Sequence, residues 1–184
     1  MMRIISGSRK GKKLKTLSGI TTRPTAERIK QGIFNILQFE ISEKYVLDLF
    51  AGSGQMGLEC ISRGAKRCIF VENDKDALKI VTDNVKACNF EGFSDIIKKD
   101  AVDFLKNYRG EPFSLVFLDP PYDSDLGNKA LNILSERKLL TDDCIVVYEC
   151  DISTSPKEKY KDFILDDLRI YTRTKIAFYR KDSN

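Results

Sequence analysis

The stretch Tyr45-Val46-Leu47-Asp48-Leu49-Phe50-Ala51-Gly52-Ser53-Gly54, with Gly57 three residues further on, constrains the fold more than any other part of the sequence. An apolar run closes on an acid and then breaks into glycines. A buried parallel strand ends in this way when it passes to a helix in an α/β sheet. Gly52, Gly54 and Gly57 spell G-x-G-x-x-G, whose glycines permit a tight turn and a close approach of backbone to ligand. The next apolar run, Cys68-Ile69-Phe70-Val71, ends on Glu72, where a ribose-binding carboxylate is expected. Taken alone, these features imply a nucleoside cofactor and leave its identity open.

The rest of the chain alternates strands and helices. A short hairpin is expected over residues 3–14, its glycines marking the turn. A disordered basic tail is the alternative, against which stand Ile4, Ile5, Leu14 and Leu17. A loop over 19–24 leads to a helix that Thr25 caps, with Ile29, Ile33, Ile36 and Leu37 as its buried stripe. Further helices are expected over 56–63, 75–88, 102–108 and 126–136, and strands over 95–97, 113–118 and 144–149. An antiparallel pair over 168–171 and 175–179 closes the chain. The class is α/β: a doubly wound, mostly parallel seven-stranded sheet with a C-terminal antiparallel pair, preceded by a small N-terminal hairpin and helix.

A chain of 184 residues fits one domain with a small appendage. No apolar run reaches the ~20 residues that span a bilayer, and the N-terminus lacks an apolar signal segment. The five cysteines (Cys60, Cys68, Cys88, Cys144, Cys150) are never spaced C-x-x-C, so reduced core thiols in a cytoplasmic protein are expected. There is no histidine. That removes Ser-His-Asp and Cys-His mechanisms and most zinc catalysis, and no metal is expected. Charge is uneven: residues 1–30 hold nine cations against Glu27, whereas the remainder carries 22 basic and 26 acidic residues. A basic N-terminal segment on a mildly acidic body points to a polyanion approached from one side.

Four strands end in acids, Asp48, Glu72, Asp100 and Asp119, and the switch-point rule gathers such ends into one crevice. Capping of the following helix is the plainer reading, most of all for Asp100. Asp119-Pro120-Pro121-Tyr122 is sharper. Two prolines fix the backbone after a buried strand and donate no N–H. They leave carbonyl acceptors, a carboxylate and a ring, which suit a planar group bearing an exocyclic amine. Accepting both amine hydrogens favours a pyramidal nitrogen whose lone pair faces an electrophile.

Taken together, these motifs resemble the class I methyltransferases that use S-adenosylmethionine, whose amino-methylating members carry Asp/Asn-Pro-Pro-Tyr/Phe. More narrowly, the chain is similar nearly end to end to the bacterial 16S rRNA guanine-N2 methyltransferases of the ribosomal small-subunit methyltransferase D family. Arg3-Ile4-Ile5-Ser6-Gly7, Arg23-Pro24-Thr25 with Arg28, Phe34-Asn35-Ile36-Leu37 and Gly57-Leu58-Glu59 carry that narrower likeness. The final hairpin departs from it, with no glycine at Thr172-Arg173-Thr174.

The resemblance implies a Rossmann-like methyltransferase domain over 41–184 and an rRNA-contacting appendage over 1–40. It implies a cofactor site of Asp48, Phe50, Ala51, Gly52, Ser53, Gly54, Glu72, Asn73, Asp100 and Ala101. In it the 48–54 loop holds the methionine portion, Glu72 the ribose, and Asp100 with Ala101 the adenine. Asp119 and the Pro120 carbonyl would grip guanine N2, next to Pro121, and Tyr122 would stack on the flipped base. Arg3, Arg9, Lys10, Lys12, Arg23 and Arg28 would meet phosphates of 16S rRNA, within a small-subunit particle. A monomer without a membrane partner is expected. Three other readings share parts of the pattern: a dinucleotide dehydrogenase, a DNA adenine-N6 or cytosine-N4 methyltransferase, and a non-catalytic rRNA-binding assembly factor. The first leaves Asp-Pro-Pro-Tyr without a purpose. The second lacks room for a target-recognition domain, and the third leaves a complete set of strand-end acids unused.

Overall fold

The computed structural model describes residues 2–17, 24–121 and 124–182, and the side chains of residues 24–26 are left aside. Strands β1 (Tyr45–Asp48), β2 (Arg67–Glu72), β3 (Ser94–Lys98), β4 (Phe113–Leu118) and β5 (Leu140–Asp151) run parallel. With β6 (Lys159–Tyr160), β7 (Phe163–Ile170) and β8 (Thr174–Lys181) they form one sheet in the order β3-β2-β1-β4-β5-β8-β7-β6. β8 lies antiparallel to both β5 and β7. The order reverses between β1 and β4, which opens a crevice at their carboxyl ends.

The expected seven strands are corrected to eight among the described residues. β6 is two residues long, too short to show a period, and it covers the edge of β7. β7 begins five residues before its expected start because a bulge between Leu165 and Asp167 breaks the alternation there. The turn before β8 closes with Tyr171 N donating to the Thr174 carbonyl (2.8 Å), and none of its residues has positive φ. It therefore needs no glycine.

Helices α1 (Pro24–Ile36), α2 (Gln55–Ser62) and α3 (Lys75–Ala87) cover one face; α4 (Ala101–Asn107) and α5 (Leu126–Glu136) cover the other. Val46, Phe70, Phe117 and Val147 pack with Phe34, Leu58 and Val81 on the first face. Leu47, Val71, Val116 and Val146 pack with Leu105 and Leu131 on the second. Burial on both faces is why these strands read as unbroken apolar runs, each such side chain stabilising the fold by roughly 1.5–3 kcal/mol. The reading of Thr25 as a cap is corrected, because α1 already includes Pro24. Its fixed φ and missing N–H suit the first helical position.

The expected N-terminal hairpin forms as a single antiparallel bridge, Arg3 to Lys13, around a 3-10 turn at Gly7–Arg9. Gly7 and Gly11, both at φ +82°, turn the backbone too sharply for a longer ladder. Ile4 and Leu14 nevertheless enter the same core as α1. Beneath them the fully buried Glu59 of α2 accepts hydrogen bonds from Ile5 N (2.7 Å) and Ser6 N (2.9 Å). Glu59 also pairs with Lys30 of α1 (3.1 Å) and with Arg63 (2.9 Å). Burial holds the Lys30 ammonium below its ordinary pKa, and the Glu59 charge opposes that shift.

Candidate active site

Two neighbouring strands clamp the turn that follows β1. Leu49 N donates to the Phe117 carbonyl of β4 (3.1 Å), and Ala51 N to the Val71 carbonyl of β2 (3.0 Å). Gly52 (φ +53°) and Gly54 (φ +76°) are left-handed, as the motif requires. A Cβ on Gly52 would meet nothing within 4 Å, so space lies open beside the turn. The third glycine has a packing reason. A Cβ on Gly57 would lie 2.4 Å from the Phe70 ring and 2.5 Å from Cys68 Sγ, so its bareness lets α2 approach β2.

Gly57 N donates to Asp48 Oδ2 (3.0 Å). Burial pushes Asp48 up to about 7, with the Gly57 bond opposing and the Glu72 charge adding to the shift. Glu72 ties the turn to the end of β2: its Oε2 accepts from Gly52 N (2.7 Å), and its Oε1 from Asn73 N and Asp74 N (each 2.8 Å). Phe50 is half-buried and Ala51 buried. The Ser53 carbonyl accepts from Asn84 Nδ2 (2.9 Å). Asp100 is exposed and caps α4 by accepting from Asp103 N (3.0 Å), while Ala101 is buried behind it.

Asp119 leaves β4 at the same crevice, followed by buried Pro120 and exposed Pro121. Ser124 closes the following turn by donating from N (3.2 Å) and Oγ (2.6 Å) to the Pro121 carbonyl. Tyr122 and Arg23 lie outside the described residues. The Asp119 side chain reaches solvent at the crevice mouth yet is enclosed at longer range by protein. That desolvation, with the Glu149 and Asp48 charges, raises its proton affinity above the carboxylate range.

Strand alternation explains why these acids meet. Val46, Phe70, Phe117 and Val147 share one core, and each stands two residues before an acid of the crevice: Asp48, Glu72, Asp119 and Glu149. All four therefore lie on the face of α1, α2 and α3. Such a row destabilises itself until a cation enters it. S-adenosylmethionine fits on that ground: it carries a sulfonium and an ammonium, and its diol can donate to a second lone pair of Glu72 Oε2. The open side of Gly52 gives backbone access.

Two residues of this region lie outside the site expected from the sequence. Asn84, buried in α3, accepts from Lys15 N (2.8 Å) and donates to the Lys15 and Ser53 carbonyls (3.0 and 2.9 Å). It thus joins the N-terminal segment to the glycine turn. Glu149 of β5 accepts from Thr174 Oγ1 (3.3 Å). Asn84 lies in a mixed stretch where only a neighbour in space gives it a role, whereas Glu149 closes the apolar run 144–148 as the other acids close theirs.

The basic residues divide. Arg3, Lys10 and Arg28 line an open groove of about 430 Å³ between the N-terminal segment and α1. Arg3 also stands 3.5 Å from Glu27. Lys12 is exposed. Arg9 instead docks on the protein, donating from Nε to the Cys88 carbonyl (2.7 Å) with its guanidinium 5.5 Å from the centre of the Phe90 ring. Among the described residues, no cluster of acids and cysteines is placed to hold a metal, and no helix is long and apolar enough to cross a membrane. All five cysteines are buried and unbridged.

Residues 2–180 match the family model described as conserved hypothetical protein 95. The Bacillus subtilis protein YlbH is 36% identical over 182 residues, covering 98% of this chain and 99% of that one. Ribosomal RNA small subunit methyltransferase D of Haemophilus influenzae is 37% identical over 153 residues, or 82% of this chain and 79% of that one. Among solved structures, that of the Escherichia coli protein yhhF superposes with a TM-score of 0.88 at 26% identity, covering 100% of this chain and 99% of that one.

Proposed function

The chain belongs to the conserved hypothetical protein 95 family, alongside the ribosomal RNA small subunit methyltransferase D proteins, and on that premise we propose that it transfers a methyl group from S-adenosylmethionine to the N2 amine of a guanine in 16S rRNA. The observation that carries this reading is the placing of Asp119-Pro120 beside the glycine turn, on one face with Asp48 and Glu72. When bound, S-adenosylmethionine supplies a methyl group on a positively charged sulfur. The protein's part is alignment.

In this reading Asp48 and the 49–54 turn hold the methionine portion of the cofactor. Glu72 and Asn73 take the ribose, and Asp100 with Ala101 border the adenine. Asp119 and the Pro120 carbonyl accept the two N2 hydrogens, which turns the nitrogen lone pair outward, and Tyr122 stacks on the extruded base. Positive charge beside Asp119 counters the raised pKa and keeps the carboxylate ionised as an acceptor. As the N–C bond forms and the C–S bond breaks, the surplus N2 proton passes to Asp119 or to water. Residues 1–40 form the rRNA-contacting appendage and 41–184 the catalytic unit. Arg3, Lys10, Lys12, Arg23 and Arg28 supply phosphate contacts, whereas Arg9 supports the segment from behind.

The test is transfer of labelled methyl to small ribosomal subunits, protein-free 16S rRNA and duplex DNA in parallel, with digestion to nucleosides. Label in N2-methylguanosine is expected, along with its loss in Asp119→Ala while cofactor affinity stays within about threefold. Label in N6-methyladenine or N4-methylcytosine of DNA would replace this reading with the DNA alternative. No label from a protein that binds the cofactor would favour the assembly-factor alternative.

A further inference from the structure

The crevice contains one acid that the proposed transfer does not use. Leu118 of β4 pairs with Tyr148 of β5, so the next residue of each strand, Asp119 and Glu149, come side by side. Alternation puts both on the face of Phe117 and Val147. Glu149 is half-buried, and its charge acts directly on Asp119. Its Oε1 has a long, 3.3 Å contact with the hydroxyl of Thr174, the buried first residue of β8. Thr174 is held in turn by a 2.7 Å hydrogen bond to the Cys150 carbonyl. Two carboxylates held side by side repel each other, and a ligand that presents a row of N–H donors relieves the repulsion.

The nucleobases differ in that row. Guanine offers its ring N1–H next to the two hydrogens of N2, so both nitrogens donate. Adenine offers N6 hydrogens beside a bare N1, and cytosine offers N4 hydrogens beside a bare N3. With either of these in place, a second carboxylate would face a lone pair. We propose that Glu149 is the specificity-determining residue of this site, accepting the guanine N1–H while Asp119 and the Pro120 carbonyl hold the N2 amine. The assignment rests on the guanine-N2 reading and deepens it. It also assists the transfer: the Glu149 carboxylate beside N1 stabilises through space the positive charge that develops on the neighbouring N2.

The discriminating substrate is 2,6-diaminopurine, which keeps the 2-amine and lacks the N1 hydrogen. Subunits are reconstituted with 16S rRNA carrying either guanine or 2,6-diaminopurine at the mapped target, and kcat/KM is measured for each. A site built to accept a hydrogen bond rejects the analogue that lacks the donor. The wild-type protein is therefore expected to prefer guanine by about 100-fold or more. Glu149→Gln keeps the side chain's size and can donate to the bare N1. It is expected to slow guanine and narrow the preference to within about tenfold, with a melting temperature no lower than the wild type's and unchanged S-adenosylhomocysteine affinity. Glu149→Asp, which keeps the charge, retains the preference at a lower rate. Labelled guanine with the same preference in Glu149→Gln as in the wild type overturns the role of Glu149 alone. Absence of label on guanine N2 from the wild-type protein overturns it together with the reading beneath it.

Discussion

Asp48 illustrates how a single side chain can be expensive to the fold and useful to the site. It is buried against the Gly57 N–H with Glu72 nearby, and its pKa rises from the usual carboxylate value to about 7. Because the folded state holds the proton more tightly than the unfolded chain does, the resulting stability is full below about pH 4 and is lost as the pH rises to about 7. At about 1.4 kcal/mol per pKa unit the loss has an upper limit of about 4 kcal/mol. Asp48→Asn can still accept from Gly57 N without this penalty. Its melting temperature should gain on the wild type steadily between pH 4 and pH 7, and parallel curves would refute the shift. Gly57→Ala acts oppositely. A methyl 2.4 Å from the Phe70 ring must push α2 off β2, and we expect destabilisation of about 1–3 kcal/mol in urea titrations.

At the scale of elements, α2 holds the N-terminal segment through Glu59 and Ser62, and α3 holds it through Asn84 and Asp83. Glu59 serves two backbone amides and two cations, with essentially no exposure. Glu59→Gln leaves the Lys30 ammonium buried without its counter-charge, and such losses amount to about 3–5 kcal/mol. The expected result is a large fall in the urea midpoint, partly restored by adding Lys30→Met. Asn84→Ala orphans Lys15 N and the Lys15 and Ser53 carbonyls. We expect a loss of about 1–3 kcal/mol per uncompensated group, an upper limit if water enters, and weaker binding of S-adenosylhomocysteine by calorimetry, since Ser53 belongs to the glycine turn.

Across the whole molecule, charge separates into a cationic N-terminal side and a crevice lined with acids. The first suits a polyanion, the second a cation. If the groove of Arg3, Lys10 and Arg28 meets phosphates, each neutralised contact releases counterions. Replacing all three with Ala should weaken binding to 16S rRNA and lower the slope of log affinity against log salt by about 2–3. Arg9→Ala should instead lower stability with little change in slope, because its guanidinium is spent on the Cys88 carbonyl and the Phe90 ring.

The sequence by itself determined the strand–glycine–helix turn at Tyr45 to Gly57, the buried strands, the strand-end acids and the rigid Asp119-Pro120-Pro121. Each is written within about ten residues, where apolar period, glycine and proline act directly on the backbone. Only the tertiary structure decided that Asp48, Glu72, Asp119 and Glu149 share one face, that β6 exists, and that Arg9 is a structural contact. It alone showed that Glu59 and Asn84 fasten the N-terminal segment. The contacts of the N-terminal segment join residues 53 to 79 positions apart, which meet only through strand register and helix packing. Nothing in a local pattern encodes such a meeting, because a polar side chain inside an apolar run reads the same whether its partner is water, a backbone amide or another acid.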